Sequence, residues 1–222
     1  MINADLQLVS FVHSRAQPWV ESPSRQVLRK RFHLVGAPES GQVTSLVTYQ
    51  PGASFSSHAH PEGEEILVLE GVFSDEHGDW PAGTWLLNPE GFVHQPFSRD
   101  GCLLLVKLRQ YTGNRHLQRH WSSDFKGTDA KAVLLDTYGG STTRLLTLPA
   151  EIEYQQYYAD GVEGFVVAGE LQLNASHFSQ YDWFRLPAGS DLVIRSLGCA
   201  LYLKENAVTT LRQVIGADTD TN

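Results

Sequence analysis

Short apolar runs separated by turn residues dominate this chain, and no stretch has a convincing helical period. The first half predicts strands over residues 27–32, 43–49, 66–69, 85–87 and 103–108, with turns rich in Gly and Pro between them. The stretch DEHGDWPAG predicts a hairpin-like connection. Many short strands joined by such turns are typical of an all-β jelly roll or barrel.

The second half of the chain repeats the first. Residues 51–98 align without a gap with residues 149–196. The agreeing positions in the first copy are turn and core residues: Gly63, Glu65, Val68, Gly71, Trp85, Pro89, Gly91 and Ser98. Their counterparts are Gly161, Glu163, Val166, Gly169, Trp183, Pro187, Gly189 and Ser196. The sequence therefore predicts two tandem β-domains, over residues 1–112 with an N-terminal arm and over residues 128–222, joined by a polar linker at 113–127.

Composition narrows the class of protein. The chain has 222 residues, 41% of them hydrophobic, with a formal charge of −8 and a pI near 5.5. The acidic balance argues against a nucleic-acid surface, and no apolar run approaches the ~20 residues that span a membrane. The two cysteines are too few for a disulfide framework, and no secretory signal is recognised, so we expect a cytoplasmic protein. The basic cluster Arg25, Arg29, Lys30 and Arg31 is interpreted as a solvated face.

One stretch, residues 52–94, carries candidate chemistry. His58 and His60 lie two residues apart, so on a strand both imidazoles project from one face. Glu64 follows after a Pro-Glu-Gly break, and His94 lies on a later strand. Three imidazoles and a carboxylate brought together in a β-fold form a first-row metal site.

The spacing of these residues resembles that of the cupin family. The pattern Gly52-x5-His58-x-His60-x3-Glu64-x6-Gly71 matches the first cupin motif at every fixed position. The pattern Gly83-x5-Pro89-x-Gly91-x2-His94 matches the second, with Ser98 in place of its usual closing Asn. The surrounding sequence is similar to the cupin domain of ChrR-like anti-sigma factors. The similar segments are HPEGEEILVLEGVFSDEHGDWPAGTW, NPEGFVHQPFSRDGC and VKLRQ. The resemblance covers roughly residues 19–110 and implies a jelly-roll domain there. Because the internal repeat builds the same framework a second time, the whole chain is predicted to be a bicupin.

The second copy keeps the turns of the first but lacks its ligands. The positions of His58, His60, Glu64 and His94 are occupied by Gln156, Tyr158, Val162 and Leu192. None of these four side chains is an imidazole, thiolate or carboxylate, so we expect one divalent metal ion per chain, in the first domain.

The same comparison helps to choose between adjacent glutamates, which spacing alone does not separate. Glu65 persists as Glu163 in the second copy, whereas Glu64 is lost together with the histidines, so Glu64 is the predicted ligand. Trp85 and Cys102 also persist and are interpreted as core residues.

The ligand set fits zinc, iron, manganese, nickel or copper, and the resemblance to ChrR favours zinc. Two functions compete, and a binding or storage cupin without turnover is a third possibility. The first, which we favour, is a sensory or regulatory module of the transcriptional stress response, in which a ligand or oxidant in the first barrel alters a partner surface. The second is a non-haem dioxygenase of the acetylacetone-cleaving type, with walls supplied by Phe55, Phe73, Phe92 and Phe97. No catalytic acid or base is identified.

The resemblance also implies a partner, an ECF sigma factor. ChrR-like proteins hold that factor through an N-terminal helical zinc domain, and no His/Cys zinc signature precedes the cupin text in this chain. We therefore expect the cupin module without that domain. We also expect a homodimer, the commonest assembly of soluble oligomers.

Overall fold

The protein folds almost entirely into antiparallel β-strands. A computed structural model describes residues 1–24, 26–122 and 129–211, and their contacts form two compact units. The first unit contains residues 1–4 and 17–121, and the second contains residues 5–16 and 122–222. The all-β prediction is confirmed.

The strands are numbered in chain order. The first nine are β1 (Ser10–Val12), β2 (Val20–Glu21), β3 (Val27–Val35), β4 (Gln42–Tyr49), β5 (His58–His60), β6 (Glu64–Asp75), β7 (Gly78–Pro81), β8 (Thr84–Asn88) and β9 (Phe92–His94). The later strands are β10 (Cys102–Leu108), β11 (Leu117–His120), β12 (Lys131–Tyr138), β13 (Ser141–Tyr158), β14 (Val162–Leu173), β15 (Ser176–Ser179), β16 (Trp183–Leu186) and β17 (Ser190–Glu205). A short 3-10 helix, Ser14–Ala16, follows β1.

The first unit is built on one large sheet and one small one. Among its described residues, eight strands form a sheet in which β11-β8-β6-β10-β4-β3-β2 are neighbours and β7 pairs with β6. Strands β5 and β9 form a separate two-stranded ribbon. The buried core includes alternate residues of β10, namely Cys102, Leu104 and Val106. This alternation is the pattern expected when one sheet face covers the core.

Part of the segment predicted as a linker is a strand. Residues 117–120 pair as β11 with β8, from Leu117 opposite Leu87 to His120 opposite Thr84. Three of the four side chains of LQRH are exposed, so the hydrophobic pattern carries no signal for this edge strand. The predicted linker residues 123–127 lie outside the described residues.

The second unit contains a seven-stranded sheet among its described residues. Six strands follow the order β1-β16-β14-β17-β13-β12, and β15 pairs with β14. Strand β1 comes from the N-terminal arm, so residues 5–16 belong by their contacts to this unit, although the sequence places them with the first domain. Asp182 holds the arm by accepting hydrogen bonds from the Ser14 amide at 2.9 Å and from His13 at 3.0 Å.

The internal repeat extends to strand register. Within each unit, a turn glycine found in both copies faces a cysteine, and a glutamate faces a lysine, across the sheet. The paired positions are Gly71 with Cys102 and Glu65 with Lys107 in the first unit, and Gly169 with Cys199 and Glu163 with Lys204 in the second. The alignment of residues 51–98 with residues 149–196 therefore reflects the same scaffold built twice.

No helix among residues 1–24, 26–122 and 129–211 is long and apolar enough to cross a lipid bilayer.

Gly71 and its counterpart Gly169 are required by the backbone. Their φ angles are +72° and +75°, in the left-handed region that favours glycine. A Cβ atom on Gly71 would also collide with the carbonyl oxygen of Gly101, and one on Gly169 with that of Gly198.

We predict that Gly71→Ala destabilises the first unit far more than Gly52→Ala. Gly52 has a φ of +77° but would have no atom within 4 Å of an added Cβ, so only the dihedral cost of ~1 kcal/mol applies. Gly71→Ala adds a backbone collision and should cost at least ~2 kcal/mol more in the free energy of unfolding. Urea denaturation of the two variants measures this difference, and equal stabilities would contradict it.

Candidate metal centre

The three predicted histidine ligands meet on the small ribbon of the first unit. His58 and His60 lie on β5, and His94 is the last residue of β9. The antiparallel register places His58 directly opposite His94, with His60 opposite Phe92. The amide of Gly91 donates a 2.9 Å hydrogen bond to the carbonyl of His60, which closes the turn into β9 against β5. Two sequence motifs far apart in the chain therefore form one cluster.

The ring nitrogens of these histidines converge. One ligand atom from each of His58, His60 and His94 lies within 4.8 Å of the others. The Nε2 atoms of His60 and His94 are 2.8 Å apart. His94 is fully buried and His60 nearly so, whereas His58 is exposed. The cluster lies at the boundary between the protein interior and solvent.

The Nδ1 atoms of His94 and His58 are each engaged in a hydrogen bond. Asp75 Oδ2 lies 2.9 Å from His94 Nδ1, and the carbonyl oxygen of Ser56 lies 2.8 Å from His58 Nδ1. The carbonyl of Ser56 and the carboxylate of Asp75 both act as hydrogen-bond acceptors. We therefore assign the proton to Nδ1 in both rings. The Nε2 lone pairs are then available, which is the arrangement found around protein-bound metals.

The surroundings shift the histidine pKa values in opposite directions. Burial lowers the pKa of His60, and this effect exceeds the opposing attraction of Glu64. Burial also lowers the pKa of His94, but its hydrogen bond to Asp75 and the nearby carboxylates outweigh burial and raise the pKa. The lowered pKa of His60 favours the neutral form that ligates a metal.

Glu64 lies beside the imidazole cluster at the start of β6. Its Oε2 atom is 3.5 Å from the Nε2 atoms of both His60 and His94. The same oxygen accepts a 2.9 Å hydrogen bond from the amide of Asn88, directly across the sheet on β8. The three imidazoles and this carboxylate match the donors that first-row divalent metals take. Its role as the fourth ligand stays a prediction.

Glu65 faces a different environment from Glu64. It is 4% exposed and accepts a 2.7 Å hydrogen bond from the indole nitrogen of Trp85. This contact agrees with the structural role inferred from its persistence in both copies. Cys102 is a buried free thiol whose pKa is raised by burial to about 11, which fits a core residue and not a nucleophile.

A cavity of about 690 Å³ in the first unit opens onto the candidate metal ligands His58, His60 and Glu64. Its apolar lining includes Val47, Phe55, Ile66, Phe73, Leu104 and Val106. Two of the four phenylalanines suggested by the sequence as walls therefore line it. Phe92 instead packs edge-on against His94 with ring centroids 5.5 Å apart. The volume is within the range of small-molecule sites.

The interpretation of the basic cluster as a solvated face is wrong for two of its members. Arg29 and Arg31 lie on β3 on the same face as the core residue Val27, and their side chains are 13% and 12% exposed. Arg29 also lines the cavity. Arg25 lies outside the described residues.

The corresponding positions of the second unit are filled differently. Val162 and Leu192 are fully buried apolar side chains. The hydroxyl of Tyr158 donates a 2.6 Å hydrogen bond to Glu205, and the amide of Gln156 donates one to the carbonyl of Tyr157 at 3.1 Å. Tyr158 and Gln156 are thus hydrogen-bonded elsewhere, and the other two positions carry no atom that could ligate a metal.

Sequence reasoning missed Asp75, the partner of His94. The internal repeat contains the signal that could have found it, because Asp75 corresponds to Leu173. The registers agree, with Asp75 opposite Gly78 and Leu173 opposite Ser176. Asp75 is thus lost from the second copy together with the four ligands.

We predict that His60→Ala lowers metal affinity by roughly 100-fold or more, because it removes one donor from the cluster. Its counterpart variant Gln156→Ala should bind metal like the wild type. Isothermal titration with zinc measures both affinities, and the wild type should bind about one equivalent per chain. Two equivalents, or a loss of affinity in Gln156→Ala, would contradict the assignment of the site to the first unit.

We predict that Asp75→Asn weakens metal binding by ~10- to 100-fold, the usual effect of losing a carboxylate behind a ligating histidine. An amide holds the ring of His94 less firmly and does not favour the Nδ1–H form. Asp100→Asn, at an exposed turn of the same unit, is the matched control. Competition with a chromophoric chelator measures both variants, and equal affinities would rule out a positioning role for Asp75.

Comparison with known proteins identifies the family of the first unit. The family model of the ChrR cupin-like domain matches residues 9–112. No curated protein matched the sequence of the chain.

Solved structures share the fold over most of the chain. The bacterial pirin YhhW from Escherichia coli, in complex with nickel(II), superposes with a TM-score of 0.68 at 17% identity, covering 89% of this chain and 98% of its own. Salicylate 1,2-dioxygenase from Pseudoaminobacter salicylatoxidans, a mutant in complex with gentisate, has a TM-score of 0.64 at 12% identity and covers 96% and 86%. YlbA from E. coli has a TM-score of 0.68 at 12% identity and covers 92% and 93%. This protein has the cupin fold, and its residues 9–112 belong to the ChrR cupin-like family.

Proposed function

We propose that the first barrel is the active site of a metal-dependent dioxygenase that acts on a small, largely apolar molecule. The observation that carries this proposal is the cavity of about 690 Å³, which opens directly onto His58, His60 and Glu64. A purely structural metal site is closed to ligands, whereas a catalytic one keeps a position open to substrate. A substrate in this cavity would reach the metal ligands without any rearrangement of the barrel.

The side chains around the site have distinct tasks in this proposal. His58, His60, His94 and Glu64 would hold the metal, which when bound would polarise substrate oxygens and activate dioxygen. Asp75 and Ser56 fix two of the rings in the orientation that ligation needs. The apolar wall containing Phe55 and Phe73 would exclude water from the substrate and select an apolar body.

The choice of metal follows from the function. Four protein ligands around zinc form a closed tetrahedron, whereas six-coordinate iron with the same ligands keeps two positions free. The dioxygenase proposal therefore takes Fe(II) as the working metal. The nickel(II) bound by the pirin of the same fold and the gentisate bound by the salicylate dioxygenase are consistent with such a site.

A second candidate is a zinc-dependent sensory module of the transcriptional stress response. The match of residues 9–112 to the ChrR cupin-like domain favours it. In this alternative a small molecule binds in the cavity without turnover and alters a surface that a partner, such as an ECF sigma factor, contacts. For either function we propose a cytoplasmic homodimer.

Dioxygen consumption separates the two functions. We expect the Fe(II)-loaded protein to consume dioxygen with a member of a panel of β-diketones and small aromatic compounds, and to place both atoms of isotope-labelled dioxygen in the products. His60→Ala should be inactive, and Gln156→Ala should retain activity. Binding of panel compounds without dioxygen uptake, together with pull-down of a purified ECF sigma factor by the zinc form, would instead support the sensor.

A further inference from the structure

We propose that the cavity of the first barrel binds a carboxylate whose charge pairs with Arg29, which lines the cavity beside Arg31, and whose apolar body extends towards the metal ligands. This inference rests on the proposed function and names the class of its substrate: a small alkyl- or aryl-substituted carboxylic acid carrying an oxygen donor for the metal.

The two arginines are directed into the barrel by the strand geometry. Val27, Arg29 and Arg31 alternate along β3 and therefore share one face. Their partners across the sheet on β4 are Tyr49, Val47 and Ser45. Val27, Tyr49 and Val47 all line the cavity, as does Arg29 itself. A guanidinium on such an inward face is unusual unless it is paired.

The charges of these two arginines are only partly neutralised, because both pair with a single carboxylate. Glu39 Oε2 lies 2.7 Å from Arg29 Nη2, and Glu39 Oε1 lies 3.1 Å from Arg31 Nη2. One carboxylate between two guanidiniums leaves a net positive charge, because arginine stays protonated at all ordinary pH values. Burial, followed by the charge of Arg29, lowers the pKa of Arg31, as expected for cations held close together. In a protein of net charge −8, this local excess of positive charge stands out.

The same place has unused hydrogen-bonding capacity. Among the described residues, the Nε atoms of Arg29 and Arg31 and the hydroxyl of Ser45 are buried without a hydrogen-bond partner. Leaving a buried donor unsatisfied costs about 1–3 kcal/mol. A carboxylate is the group that a guanidinium binds best, through two parallel hydrogen bonds. A carboxylate bound at Arg29, the one of these three residues that lines the cavity, would offset the excess positive charge and accept a hydrogen bond from its Nε atom.

The rest of the cavity sets the shape of the acid. Apolar side chains, including Val47, Leu104 and Val106, occupy the lining shared by Arg29 and the histidines. An acid with an apolar body satisfies both polar regions and the wall between them. Acids without such a body would leave that wall in contact with water.

The test compares a matched acid and amide, 3-phenylpropanoate and 3-phenylpropanamide, by isothermal titration into metal-free and zinc-loaded protein. We expect the acid to bind at least ~10-fold more tightly than the amide in both forms. Arg29→Gln should lower the affinity for the acid by ~10- to 100-fold and leave the affinity for the amide unchanged. Arg99→Gln, which changes an arginine 72% exposed and outside the cavity lining, is the control and should change neither.

Glu39→Gln provides a second test, in which acid binding should become stronger. This test does not require the Arg29→Gln variant to fold. Glu39 is 53% exposed, and its removal as a competing carboxylate should strengthen acid binding several-fold. Equal binding of acid and amide by the wild type, or acid affinity unchanged in Glu39→Gln, would overturn the proposal. The preference for the acid is measured in metal-free protein as well. The absence of this preference can therefore be told apart from the absence of dioxygenase activity. A protein that consumes dioxygen with neutral diketones but shows no acid preference would retain the function and refute the carboxylate site.

Discussion

The antiparallel register between β5 and β9 is the constraint on which the metal centre depends. It sets His58 opposite His94 and leaves His60 on the same face, so three rings share one small volume. Because side chains alternate between faces, a slip of one residue in either strand would direct one motif away from the other. The hydrogen bonds that the Asp75 carboxylate and the Ser56 carbonyl accept from His94 and His58 orient rings that this register brings together.

The two units show how a buried polar site is lost as a whole. A barrel that keeps one histidine without its metal or its acceptor would leave polar atoms unsatisfied in the interior. In the second unit the aspartate behind the site is replaced by Leu173, two ligand positions are apolar, and Tyr158 is hydrogen-bonded to Glu205. The turn glycines persist in both units, because a left-handed φ and a close carbonyl are demands of the scaffold that do not depend on the metal.

The cavity connects two kinds of polar surface through an apolar one. Its lining includes the metal-ligand candidates His58, His60 and Glu64 and also Arg29, which is paired with Glu39. A small molecule that fits must satisfy both and fill the wall that contains Phe55 and Phe73. Selectivity in such a site comes from the penalty for leaving buried polar groups unpaired, which exceeds the gain from any single apolar contact.

The sequence by itself determined the all-β class, the internal repeat and the three histidines that meet in the structure. These features are visible because strand alternation, turn glycines and ligand spacing are local properties of the chain. Strand β11 and the pairing of β1 with β16 were not predicted, since short strands with exposed or mixed side chains leave no periodic signal. Asp75 behind His94, the inward direction of Arg29 and Arg31, and the cavity were decided only by tertiary structure. Each of them depends on which residues distant in sequence face each other across paired strands, and the identity of a residue does not specify its partner.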